Sequence, residues 1–251
     1  MKILLQFTLK HNRLPLDYRR VILSFFKRSL SEIAEGKYYE KYYFTPERRN
    51  FTFAVNLPAP KFSKTEIELG KNEMKIIFST ADSTTGFVFM SAFIKQKGKE
   101  IPAPMNNTLR LVGVTQLPEK EVVSTSVLIK MLSPLCLRLH NADDNLDKYI
   151  SVANSDFNSI AIEIIKRQLI ESGFDEKIVS GFSIKPLNAK KTVVYHYKNY
   201  IECSIGDFII SADKAILNYL IKSGIGSRKS AGFGFAQLIA EEMKHADENT
   251  N

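Results

Sequence analysis

Residues 223–238, SGIGSRKSAGFGFAQL, constrain this chain more than any other stretch. They hold four of its twelve glycines, Gly224, Gly226, Gly232 and Gly234, with Lys222, Arg228 and Lys229 in or beside them. Glycine admits positive φ and lets a backbone approach a neighbour closely. Successive N–H groups in such a loop form an anion-binding concavity, so a phosphate-bearing partner is expected. Two familiar phosphate loops are excluded. A Walker loop needs Gly-Lys-Ser/Thr where Gly232 is followed by Phe233 and Gly234. A dinucleotide fingerprint opens a helix after a strand, whereas the order here is helix, loop, strand. The plainer alternative is a tight connection from helix to strand, with glycine at the helix end.

The charge balance points the same way. A net charge of +8 and a pI near 9.3 favour an anionic partner, either nucleic acid or a membrane surface. No apolar run approaches the roughly 18 residues that a membrane span needs. The start, MKILLQFTLKH, is too short and too interrupted by Gln6 and Lys10 for a signal peptide. Cys136 and Cys203 lie far apart with no C-x-x-C, which argues against a zinc site and for an intracellular, cytoplasmic protein.

Hydrophobic periodicity sets the expected elements. Residues 2–10 read as a strand with Ile3, Leu5, Phe7 and Leu9 on one face. Pro15 is placed in the first turn of a helix that runs from 16 to 34 through Ile22, Phe25, Phe26, Leu30 and Ile33, ended by Gly36. Residues 37–50, KYYEKYYFTPERRN, read as an exposed loop or irregular strand. Strands are expected at 51–57, 65–69, 73–79 and 109–117, and a helix at 83–95. After a linker at Pro118, strands are expected at 122–132, 178–187, 192–197, 200–211 and 232–239. Helices are expected at 157–170 and 213–222, and residues 133–154 read as a polar loop in which Asp143, Asp144 and Asp147 make a turn or helix cap. The first half then has the order β-α-β-(β)-β-α-β and the second repeats the scheme, a ferredoxin-like unit of the kind an RRM uses. The expected fold is α+β: two tandem ferredoxin-like (RRM-like) domains, 1–118 and 119–240, with a C-terminal glycine-rich loop and a flexible tail at 241–251.

Taken together, the two halves, the basic balance and G-I-G-S-R-K-S-A-G-F-G-F closely resemble the CRISPR-associated endoribonuclease family that processes precursor crRNA, the sixth Cas family of the RAMP superfamily. Phe51-Thr-Phe-Ala-Val-Asn-Leu is similar to the family's Phe-Thr-Phe-Ser strand. The resemblance implies metal-independent cleavage within each CRISPR repeat by attack of a ribose 2′-hydroxyl, leaving a 2′,3′-cyclic phosphate and a 5′-hydroxyl, with no cofactor. It implies repeat RNA or crRNA as partner, other Cas proteins of an effector complex as further partners, no membrane, and a monomer or homodimer. A catalytically inactive repeat-RNA-binding or structural subunit is the alternative, as is a tandem RRM-type protein.

Such cleavage needs a base, an acid and a cation at the scissile phosphate. Many family members place a catalytic His between the first helix and the Phe-Thr-Phe strand, and this segment has none. The candidates there are Tyr38, Tyr39, Lys41, Tyr42, Tyr43 and Arg49, with Arg48 or Arg49 where the family has Lys. A tyrosine lowered by neighbouring cations is one source of a base. RNA contacts are expected from Arg19, Arg48, Lys191, Lys198, Lys222, Gly224, Gly226, Arg228, Lys229, Gly232 and Gly234, because cations hold phosphates and aromatic faces stack bases. Tyr195, Tyr197 and Tyr200 with Lys185 and Lys190 extend this basic-aromatic set. His11 is weighed as a surface residue at a strand end against a catalytic one, His140 and His196 as structural or RNA-contacting rather than catalytic, and His245 lies in the tail.

Overall fold

The computed structural model describes residues 1–45, 49–141 and 146–242. Strand β1 (Lys2–Leu9) buries Ile3, Leu5, Phe7 and Leu9, the alternation that a two-residue side-chain period produces. Strand β2 (Arg13–Pro15) follows, so Pro15 ends a strand instead of opening a helix. Helix α1 (Tyr18–Ser31) buries Ile22, Phe25, Phe26 and Leu30 along one face. A 3-10 turn, Ala34–Gly36, leads into helix α2 (Lys37–Tyr43), where a loop or irregular strand was expected. Its period is disguised because every ring in it is tyrosine. Tyr42 alone is buried, its hydroxyl 2.7 Å from Thr85 Oγ1 and its ring 5.2 Å from Phe89.

The first half continues with β3 (Phe51–Asn56), β4 (Lys61–Phe62), β5 (Glu66–Glu68), β6 (Glu73–Thr80), α3 (Ser83–Gln96), β7 (Glu100–Ala103) and β8 (Asn107–Leu117). One sheet runs in the order β3-β6-β1-β8-β7, with antiparallel neighbours throughout. With α1 and α3 it makes the β-α-β-β-α-β unit, and β7 is an added edge. Phe26 centres the core, its ring 5.1 Å from Phe53, 5.3 Å from Phe93, 5.9 Å from Phe89 and 6.0 Å from Phe78.

The second half holds β9 (Ser126–Met131), β10 (Leu137–Asn141), β11 (Leu146–Ile150), α4 (Phe157–Ile170), α5 (Glu176–Ser180), β12 (Ser183–His196), β13 (Asn199–Ser211), α6 (Lys214–Ser223) and β14 (Ala236–Glu241). Its sheet order, β12-β13-β9-β14, repeats the first unit around α4 and α6. Three local expectations change. The polar stretch 133–154 contains the antiparallel pair β10–β11. The segment expected as a strand from 178 begins as α5, because Asp175 caps it through Lys177 N–H at 2.8 Å. The two strands expected at 178–187 and 192–197 are one, since a bulge between Pro186 and Asn188 absorbs the break.

The glycine loop forms the seam between the halves. All four of its glycines are buried with φ between +72° and +86°. A Cβ on Gly232 would lie 2.6 Å from the Phe53 ring, and one on Gly224 would lie 2.8 Å from Thr52 Cβ. Thr52 Oγ1 donates to Phe233 O at 2.8 Å, and Ser79 Oγ donates to Lys222 O at 2.7 Å. A phenylalanine core on one side and backbone hydrogen bonds on the other leave no room for a side chain.

Gly98 has a similar φ of +81° with nothing within 4 Å of a built Cβ. Gly98→Ala is therefore expected to cost about 1 kcal/mol, the left-handed backbone alone. Gly232→Ala adds the displacement of Phe53 and is expected to cost about 2–4 kcal/mol. Urea unfolding of the two variants measures the difference.

Candidate functional site

A cleft of about 370 Å³ opens along this seam. Leu23 and Lys27 come from α1, Tyr43 from the end of α2, Arg49 from the approach to β3 and Arg138 from β10. His196 and Tyr197 come from the β12–β13 turn, and Arg228, Ser230 and Ala231 from the glycine loop. Four of these are cations, and no carboxylate among the described residues lines the cleft. Arg49, Arg138, Arg228 and Ser230 also line an adjoining basin of about 800 Å³, with His140, Arg167, Lys229 and the carboxylates Glu163 and Glu171. In the cleft, like charges converging on a concavity focus a positive potential, which suits a polyanion.

An acidic hub orients two of the arginines. Asp147 accepts from Arg138 at 3.2 Å, Arg228 at 3.2 Å, His140 Nδ1 at 2.9 Å and the Tyr149 hydroxyl at 3.2 Å. Burial opposes ionisation of Asp147, but the hydrogen bonds from His140 and Arg138 outweigh it and hold its carboxyl below the usual range. Asp147 lies in β11, not in a turn or helix cap; Asp143 and Asp144 lie outside the described residues. Arg228 itself has φ +54° and donates to Tyr149 Oη, so backbone and hub together fix its guanidinium.

Helix α2 separates the tyrosines. Tyr39 and Tyr43 share a face, their rings 5.7 Å apart, while Tyr42 enters the core and Tyr38 packs against it. Lys41 is exposed. Of the six residues proposed for the chemistry, Tyr43 and Arg49 reach the cleft. Lys27 Nζ lies 5.0 Å and Arg49 Cζ 4.8 Å from the centre of the Tyr43 ring. Burial nevertheless pushes the Tyr43 phenol well above its ordinary value, against the pull of Arg49. A tyrosine lowered toward neutrality is not what this position provides; it provides an O–H donor.

The residues read for RNA contact are dispersed. Arg228 lines both cavities and Lys229 the basin. Arg19 is buried in the seam, donating to Gly232 O at 3.3 Å with its guanidinium 4.9 Å from the Phe233 ring. The glycine N–H groups are used within the chain: Gly224 on Leu220 O, Gly226 on Gln168 Oε1, Gly232 on Lys229 O and Gly234 on Pro134 O. Lys222 sits beside the seam through its backbone. Lys191 pairs with Glu202 on the β12–β13 face, where the Tyr195 and Tyr200 rings lie 5.1 Å apart. Lys198 stands at the tip of that hairpin, and Arg48 lies outside the described residues. His11 lines neither cavity. Among the described residues, no cluster of three or more His, Cys, Asp or Glu side chains is placed to hold a metal, and no helix is long and apolar enough to cross a membrane.

His196 joins this set through the fold. It is 1% exposed, yet it lines the cleft. Its Nδ1 is 2.8 Å from Asp17 Oδ1, and Asp17 Oδ2 accepts from Tyr197 N–H at 2.8 Å. No periodicity or motif links positions 17 and 196; only the fold brings them together.

Residues 117–238 match the family model described as CRISPR associated protein Cas6, C-terminal. The fold of the whole chain is that of Cas6 and RAMP proteins. A Cas6-related protein from Pyrococcus furiosus superposes with a TM-score of 0.81 at 17% identity, over 96% of this chain and 99% of that one. A RAMP protein described as binding different RNA substrates gives 0.79 at 18%, over 96% and 100%. A Cas6 product complex gives 0.70 at 15%, over 95% and 99%. No curated protein matches by sequence.

The hub predicts a pH dependence. With its folded pKa below the ordinary value of about 3.9, Asp147 contributes stability above that pH and loses it as pH falls through the depressed value. Thermal melts between pH 5 and 3 should drop less steeply for Asp147→Asn than for the unaltered chain.

Proposed function

We propose that this chain binds CRISPR repeat RNA across the seam cleft and cleaves precursor crRNA once per repeat. The four-cation cleft at the glycine loop is the observation that carries this reading. The Cas6 match of residues 117–238 and the Cas6-like fold support repeat binding and crRNA processing in general. On this reading residues 1–118 and 119–240 are the two domains, and the scissile phosphate lies where they meet.

The proposed chemistry is metal-independent. A 2′-hydroxyl attacks the adjacent phosphorus, and the products carry a 2′,3′-cyclic phosphate and a 5′-hydroxyl. Arg49 and Arg228 face the phosphate and stabilise charge as it develops on the phosphorane oxygens. Tyr43 donates a hydrogen bond to one of those oxygens, and Lys27 adds charge beside it. Tyr38 and Tyr42 support the helix that presents Tyr43, and Tyr39 and Lys41 flank the entrance. Lys229, Arg138 and Arg167 hold flanking phosphates in the basin, and the Tyr195–Tyr200 face with Lys191 and Lys198 offers stacking surface for the rest of the repeat.

Labelled repeat RNA in EDTA, beside the same RNA with one 2′-deoxy at the cut, tests the reading. Cleavage of the first alone is expected. Binding with neither RNA cut would favour a repeat-RNA-binding subunit, and no preference over scrambled RNA would remove the CRISPR role. Arg228→Ala should weaken binding and make the slope of log K against log salt shallower by about 0.7, one phosphate contact on a single strand. Fluorescence anisotropy at several salt concentrations reads this directly.

A further inference from the structure

We propose that His196 is the general base for 2′-hydroxyl activation and that Asp17 is its positioning residue. This rests on the cleavage reading above and names a base that the segment before β3 lacks.

Three observations carry it. First, two buried polar atoms of cleft-lining residues, Tyr43 Oη and His196 Nε2, have no hydrogen-bond partner among the described residues. A buried acceptor without a partner carries its full desolvation penalty, so such an atom calls for an explanation. Both atoms belong to walls of the same cavity, where a bound ribose-phosphate would supply the partners.

Second, Asp17 does not cap its own helix. It occupies the N-cap position of α1 with no side-chain bond to that helix. Asp82, Asp175 and Asp213 at equivalent positions each accept from their own first-turn N–H groups, whereas Asp156 before α4, like Asp17, does not. A lost cap destabilises the helix it would have closed. Both oxygens of Asp17 are spent instead on His196 Nδ1 and Tyr197 N–H.

Third, the pairing sets the tautomer. A carboxylate 2.8 Å from Nδ1 accepts its proton, which leaves the lone pair on Nε2. The groups facing the ring are Asp17 and Arg19 from α1 and Arg228 from the loop, with Lys27, Tyr43, Arg49 and Arg138 around the cleft and Tyr197 on its own hairpin. Burial lowers the imidazole pKa and Asp17 opposes this only in part, so the ring is neutral and able to accept at pH 7.

In the step, Nε2 takes the 2′-hydroxyl proton as the 2′-oxygen bonds to phosphorus. The bond from phosphorus to the 5′-oxygen breaks, and that oxygen takes a proton from cleft water. The imidazolium returns its proton to solvent after release, so protons balance over the turnover. The Tyr197 ring lies 4.5 Å from the His196 ring and is half exposed.

His196→Asn separates base from latch, since the asparagine amide can still donate to Asp17 from the Nδ1 position. Single-turnover cleavage by this variant should fall about 10²–10⁴-fold with repeat affinity unchanged. For Asp17→Asn the acid limb of the rate profile should move to lower pH, because the carboxylate that supports the imidazolium is gone. Cleavage at the unaltered rate by a folded His196→Asn variant would overturn the proposal, as would a loss that appears only as weaker binding. An unaltered protein that binds repeat and cuts nothing would overturn the cleavage reading and this base with it. Should His196→Asn fail to fold, imidazole ¹⁵N spectra of the unaltered protein decide, assigned by substituting the other three histidines. The Nε2 resonance of His196 should move on binding 2′-deoxy repeat RNA, and an unmoved resonance in the complex would refute the assignment.

Discussion

The whole arrangement depends on the close approach of the glycine-loop backbone to β3. Gly232 rests on the Phe53 ring and Gly224 on Thr52, at separations that exclude even a methyl group. The loop is therefore one wall of the cleft and, at the same time, the mortar between the two halves. Arg19 reinforces the joint from within, hydrogen-bonded to Gly232 O and lying over Phe233. Cations that would repel one another on a free surface are held together because this packing places α1, α2 and the loop side by side.

Much of the fold was legible in the sequence because its hydrophobic periods are clean. Ile3, Leu5, Phe7 and Leu9 alternate, and Ile160, Ile164, Ile165 and Leu169 recur at four and five. Both β-α-β-β-α-β units follow from such patterns. The departures have local causes. In α2 the buried and exposed rings are chemically identical, so no contrast marks the helix. In β10–β11 the hub residues Arg138, His140 and Asp147 are polar side chains that hydrogen-bond one another, and polarity reads as loop. Conflict between local signal and final structure is what functional sites tend to show.

The candidate site was legible by composition and not by geometry. Cations and tyrosines near positions 38–49 and 222–229 pointed to an anionic partner. Which of them converge is decided by tertiary placement: Tyr42 goes to the core, Tyr43 to the cleft, and the glycine N–H groups to the chain itself. Asp17 and His196 lie 179 positions apart, a relation that neither helical nor strand periodicity can express.

The β12–β13 hairpin has a mechanical consequence. Its tip reaches back to the start of α1, where Asp17 grips both a side chain and a main-chain amide. The two halves are thus fastened twice, by the glycine seam and by this clasp beside it, where the His196 ring lies 5.8 Å from that of Phe233. A frame pinned at two points has little play between its jaws. The conformational entropy of setting their spacing is spent during folding, and a strand entering between them must do the bending itself.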